Sequence, residues 1–222
     1  MNLLKFSLLI FTFIFTNEIF ACENLTEETQ KLSCFKKKFS KVDKELNEVY
    51  KELLNKIPKE LANEMKIESR TWIKRKESFC KDERVTGDSE SSKENSSYYS
   101  CVLGFTESRI PFLKSAFGRE NLSNELSGEY QDADGGELKL KMNKNKLEFM
   151  ISVVRGPTSH IGEVSGKFEP TSKKILWKNK PNSEECELKF IFKDYVVEIE
   201  EVKCSELHGA NAYFTGKYRK IK

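Results

Sequence analysis

The sequence predicts two dissimilar halves, an all-α N-terminal three-helix domain followed by an all-β C-terminal antiparallel barrel. Three observations carry this. From Leu25 to about Phe117 the chain is poor in glycine, and its apolar residues recur at steps of three and four. From about Ser127 it becomes a row of short segments with period-two alternation, separated by Gly, Pro, Asn and Asp clusters. Six cysteines follow residue 21, four in the helical half and two in the other. An even number of this kind suits disulfides in an exported protein.

The first 21 residues, MNLLKFSLLIFTFIFTNEIFA, combine an early Lys5, an apolar run from Phe6 to Phe15 and a small Ala21 before Cys22. This is the pattern of a secretory signal peptide, with an apolar core short for a membrane span. The chain is therefore expected to be exported, periplasmic or extracellular. The alternative, a lipid anchor on Cys22, fits poorly with Ile19 and Phe20 ahead of it. It would also leave one of the other five cysteines unpaired.

The first helix is marked by a stripe of Leu32, Phe35, Phe39, Val42, Leu46, Val49, Leu53 and Ile57. Pro58 ends it, because proline cannot donate to the preceding turn and disfavours helical geometry at Ile57. A second helix then runs from about Lys59 to Phe79, with Leu61, Met65, Trp72 and Phe79 inward. The polar stretch KDERVTGDSESSKENSS is a surface loop. A third helix covers Tyr98 to about Ser115, with Val102, Phe105, Ile110 and Leu113 in the core and Pro111 near its end. Taking the first two helices as a hairpin turning at Pro58, Cys34 and Cys80 lie at equal distances from the turn and are expected to pair. Cys22 and Cys101 then form the second bridge. A metal site lacks short paired cysteine spacings and a nearby histidine.

Seven or eight strands follow. LKLKM and LEFMI alternate most clearly, and consecutive strands without helices indicate an antiparallel barrel or sandwich. Gly128-Glu-Tyr130 opens the segment and Gly216-Lys-Tyr218 ends it, so the first and last strands are expected to meet. Cys186 opens one strand and Cys204 ends the next, which places them opposite each other in a hairpin and predicts the third disulfide. The organisation is thus a signal peptide (1–21), a disulfide-stapled helical domain (22–118), a linker (119–127) and a barrel (128–222).

The pieces DKELNEVY (Asp43, Asn47, Tyr50), RTWIKRKESFC (Arg70, Trp72, Arg75, Cys80) and CVLGFTESRIPFL (Cys101, Thr106, Arg109) occur in this order with fitting cysteines. On them, residues 22 to about 113 resemble the LprI-type lysozyme inhibitor N-terminal domain family, a group of exported bacterial helical domains. Lys74 departs from the family pattern, where an aromatic is usual, and Lys76 stands where an acid or amide is usual. The second half resembles, more loosely, the small periplasmic barrels of lysozyme inhibitors, whose inhibitory Ser-Gly pair has one candidate counterpart here, Ser165-Gly166. The motif residues admit two roles. They form a polar network that fixes helix register, with Arg70 or Arg75 paired to Asp43, or they present Arg75 with Lys74 and Lys76 as an exposed recognition ridge. A two-residue match is weak, and the residues favour Gly166 as a bulge or bend in a strand. The loop VVRGPTSHIG, with Arg155 and His160, is a further surface candidate.

No catalytic or metal-binding constellation appears. His160 and His208 are the two histidines and sit in no nucleophile or metal motif. No cofactor and no nucleic-acid partner are expected, and the chain reads as a binding protein rather than an enzyme. The resemblance implies a secreted protein partner, a host or competitor lysozyme, inhibited by occlusion of its cleft. The competing reading is an envelope binding module whose barrel holds a small apolar ligand or cell-wall fragment. The net charge of +3 supplies little steering toward a basic enzyme. Local acids such as Glu185, Glu187, Glu198 and Glu200 would have to provide it.

Overall fold

The computed structural model describes residues 22–82, 95–119, 122–123, 125–155, 160–179 and 185–222. The expected signal peptide, most of the polar loop and part of the VVRGPTSHIG loop lie outside these residues. Three helices, α1 (Glu28–Lys56), α2 (Lys59–Cys80) and α3 (Ser96–Ala116), precede eight strands. The strands are β1 (Gly128–Gln131), β2 (Glu137–Asn143), β3 (Lys146–Arg155), β4 (His160–Phe168), β5 (Lys174–Asn179), β6 (Cys186–Lys193), β7 (Val196–Val202) and β8 (Gly216–Lys220).

The stripe on α1 buries Phe35, Leu46, Val49 and Leu53, and Pro58 separates α1 from α2 as expected. Asn95 caps α3, its side-chain oxygen accepting from the Tyr98 N–H at 2.8 Å. α1 packs most closely on α3, while α2 stands farther off and meets both through large side chains such as Met65 and Trp72.

That arrangement corrects the expected disulfide pairing. The bridges are Cys22–Cys34 and Cys80–Cys101, with Cys186–Cys204 as expected. Equal spacing about Pro58 would pair Cys34 with Cys80 only if α1 and α2 were the closest neighbours. Instead the chain ahead of α1 folds back onto it at Cys34, and Cys80 at the end of α2 meets the start of α3.

The strands form one antiparallel sheet in the order β4-β3-β2-β1-β8-β7-β6-β5, a nearly closed barrel. The first and last strands meet, through Tyr130↔Lys220 and Gln131↔Arg219. Tyr130 and Tyr218 are both fully buried, and each hydroxyl donates to the carbonyl four residues earlier, Leu126 and Phe214, at 2.8 Å. The gap in the hydrogen-bonded ladder falls between β4 and β5, and side chains span it. Trp177 on β5 lies edge-on to Phe149, with ring centroids 5.0 Å apart, and Phe168 on β4 approaches Phe190 to 4.9 Å. A Cβ at Gly166 would stand 2.6 Å from the Trp177 indole nitrogen. Gly166 is therefore the close-approach position that lets the indole fill the seam, while Ser165 beside it is exposed on the outer face. The interior is filled by Leu138, Phe149, Ile151, Leu188, Phe190 and Ile199 among others.

The two halves pack directly. Arg219 on β8, 2% exposed, donates from Nε to Glu68 Oε1 at 2.7 Å and from Nη2 to Glu64, with its guanidinium over the Phe117 ring. Ile221 joins the helical core. Arg75 on α2 lies against the turn between β1 and β2 at Gly135, whose φ of +74° and contact with the guanidinium leave no room for a side chain.

Candidate functional site

A cleft of about 560 Å3 opens between α1 and α2, with α3 at its back. α1 contributes Asp43, Leu46, Asn47, Tyr50 and Leu54, and α2 contributes Lys66, Ser69, Arg70, Ile73 and Lys76. Both sets follow helical spacings of three and four, so each is one stripe turned toward the other. Trp72, Arg109 and Leu113 complete the wall. The volume is that of a ligand site, within the usual range of roughly 300–1,000 Å3.

Four cations, Lys66, Arg70, Lys76 and Arg109, line the cleft against one carboxylate, Asp43. Asp43 is held on its own helix, its Oδ2 and its backbone carbonyl accepting from Asn47 Nδ2 at 3.1 and 2.8 Å. Lys76 is buried, its ammonium 4.8 Å from the Trp72 ring and 5.6 Å from Phe39. Burial draws its pKa down, and Asp43 opposes this. Arg109 is 4% exposed, with its guanidinium 4.4 Å from the Phe112 ring and 5.4 Å from Trp72. Burial lowers it to about 10, with Glu68 opposing. Its Nε and Nη2 have no hydrogen-bond partner among the described residues, and neither has Ser69 Oγ. Behind them, desolvation raises the Glu68 carboxyl, and Arg219 and Arg109 hold it down.

The residues that carry the family resemblance converge here: Asp43, Asn47, Tyr50, Arg70, Trp72 and Arg109 all line the cleft. Thr106 lies apart, fully buried, with its hydroxyl donating to Val102 O at 2.6 Å. Arg75 pairs with no residue of α1. It faces the barrel, over the Phe105 ring at 5.3 Å, drawn by Asp134 and Asp132. Lys74, Arg75 and Lys76 accordingly form no ridge. Successive helix residues are rotated by about 100°, so Lys74 points to solvent, Arg75 to the barrel and Lys76 into the cleft.

The barrel candidates do not assemble into one loop surface. Arg155 is buried rather than exposed. It donates to Asp132 at 3.1 Å from Nη1 and 2.5 Å from Nη2, and Asp132 also accepts the Gly136 and Asp134 N–H groups. Burial works against the Arg155 charge, but the Asp132 bonds outweigh it and raise its pKa. His160 is half-buried beside Asn211, 3.1 Å away. Ser165 and Gly166 lie on β4 at the seam. The local acids are matched in place: Glu185 and Glu187 by Lys178, Glu200 by Lys189, and Glu198 by Lys193 and Lys217.

Three participants escape a reading by pattern: Ser69, Glu68 and the inward Lys76. In the sequence Lys76 reads as a departure from the family pattern and as part of an exposed ridge rather than as an inward residue, and Glu68 and Ser69 carry no motif signal.

Residues 22–113 match the family model described as Lysozyme inhibitor LprI. The match spans α1, α2 and α3 as far as Leu113, and so includes every wall of the cleft. No curated protein and no solved structure matches the chain.

Proposed function

We propose that this chain is an exported, non-catalytic binding protein that inhibits a lysozyme-type peptidoglycan hydrolase, and that the α1–α2 cleft holds the partner. The observation that carries the proposal is the coincidence of the segment matching a lysozyme-inhibitor family model with the segment that builds the cleft. Three disulfides suit an extracytoplasmic compartment, to which the 21-residue leader would deliver the chain.

A concave site on the inhibitor cannot plug the concave glycan groove of the enzyme. A projecting part of the hydrolase seats in the cleft instead, and the flanking helices stand across the mouth of its active site. Inhibition is then by coverage, and its specificity lies in what enters the cleft. The competing reading, an apolar ligand inside the barrel, is disfavoured because Phe149, Phe190 and their neighbours occupy that interior.

The test is lysis of a cell-wall suspension by c-, g- and i-type lysozymes, with oxidised chain 22–222 titrated in. Inhibition of one class, falling to a stoichiometric end point, is expected. Full rates for all three at micromolar protein would contradict the proposal.

A further inference from the structure

Arg109 is a feature of the cleft that the fold alone does not require. A buried guanidinium with unmade hydrogen bonds destabilises the folded state, because its lost hydration is not replaced. Phe112 and Trp72 offer ring faces only. Glu68 attracts Arg109, with its Oε1 bonded to Arg219 and its buried Oε2 unbonded, and no bond joins Glu68 to Arg109. The two unbonded donors, Nε and Nη2, form one edge of the guanidinium. That edge is closed to water as the side chain stands, and once turned toward the cleft it suits a carboxylate bound side-on through two parallel N–H···O bonds. Around it the cleft holds a surplus of cations, a free Ser69 hydroxyl and apolar walls from Leu46, Leu54, Ile73 and Leu113.

We propose that the cleft is a carboxylate-binding site anchored by Arg109. The carboxylate is an acidic side chain on the projecting part of the hydrolase. This rests on the cleft being the binding site proposed above, and it names the group that enters. Arg109 also borders a smaller hollow on the barrel side, shared with Trp72, Gly104 and Arg75, so the experiment must separate the two approaches.

The chain's two tryptophans provide the reporters: Trp72 lines the cleft, and Trp177, at the barrel seam, is an internal control. Oxidised chain 22–222 carrying 15N-tryptophan is titrated with N-acetylglutamate methylamide and with N-acetylmuramic acid. The neutral counterparts are N-acetylglutamine methylamide and N-acetylglucosamine. A saturable shift of the Trp72 indole N–H with a carboxylate, absent with its neutral counterpart and without movement of Trp177, is the expected result. Response to the glutamate derivative supports a protein side chain, and response to the muramic acid alone would overturn that choice in favour of a cell-wall sugar.

Arg109→Met should abolish the shift while the Trp177 resonance and the three disulfides are retained, which a loss of fold would not allow. Should Arg109→Met fail to fold, Arg109→Lys keeps the charge without the fork and should weaken binding at least tenfold. Ile73→Trp, at a position 48% exposed on the cleft rim, should block the shift. Gly104→Leu, whose side chain enters the barrel-side hollow where nothing lies within 4 Å of the new Cβ, should preserve it. No saturable shift with either carboxylate would overturn the proposal. So would a shift that survives Arg109→Met, or one lost in Gly104→Leu but kept in Ile73→Trp. The titration contains no hydrolase, so its failure is distinct from a failure of inhibition.

Discussion

Replacing Arg219 by methionine removes the main ionic link between the helical and barrel halves while keeping most of the unbranched stem. The two carboxylates it serves are not equal. Glu64 has a side chain 45% exposed, so its pair resembles a surface bridge worth about 0–1 kcal/mol. Glu68 is 11% exposed, and it keeps its charge inside the interface when the guanidinium is gone. Breaking a buried pair from one side costs roughly 3–5 kcal/mol, and this term dominates. Desolvation already raises Glu68 above its ordinary value of 4.5, with Arg219 the first influence against it. A carboxyl raised in the folded state contributes stability that is fully present below its unfolded pKa and is lost as pH rises through the folded pKa. Without Arg219 that folded value rises further. The deficit of Arg219→Met should therefore be largest near neutral pH and shrink toward about pH 4.5, where a protonated Glu68 needs no counter-ion. Urea titrations followed by circular dichroism, at both pH values, measure it. Adding Glu68→Gln to Arg219→Met should recover part of the loss at neutral pH. A deficit under about 1 kcal/mol, or one independent of pH, would mean that Glu68 carries no buried charge at this interface.

Other substitutions probe separate parts of the account. Gly166→Ala places a Cβ 2.6 Å from the Trp177 indole nitrogen and 2.8 Å from Phe149, so the seam must open. A loss of roughly 1–3 kcal/mol and a red-shifted tryptophan emission are expected in urea titration. Gly104→Ala adds a methyl group where nothing lies within 4 Å, inside α3, and should stabilise by about 0.5–1 kcal/mol in the same assay. Replacing both Cys80 and Cys101 by serine frees a loop with a sequence separation of 21. This should lower stability by about 3 kcal/mol, measured by thermal denaturation, with the Cys22–Cys34 bridge still formed on mass analysis.

Much of the architecture was legible in the sequence because each half follows one period. The stripe from Phe35 to Leu53 and the alternation of Leu138, Leu140, Phe149 and Ile151 have the burial they predict. Legibility failed where one element packs on two neighbours. Tyr218, Arg219 and Lys220 are consecutive and all buried, against the alternation of a strand with one wet face. β8 turns Tyr218 into the barrel, while Arg219 on its opposite face meets the helices. Arg155 looks like a loop residue in the sequence because its partner, Asp132, lies in a turn 23 residues earlier. The motif residues were visible as a set. Their meeting in an open cleft depends on the distance between α1 and α2, which the periodicity of either helix does not contain.

If the cleft holds a hydrolase, wild-type 22–222 and Ile73→Trp differ in the cell-wall lysis titration with whichever lysozyme class the wild type inhibits. The inhibition constant should be at least tenfold weaker for Ile73→Trp, with unchanged thermal stability. Equal inhibition by both proteins would contradict this and place the contact elsewhere.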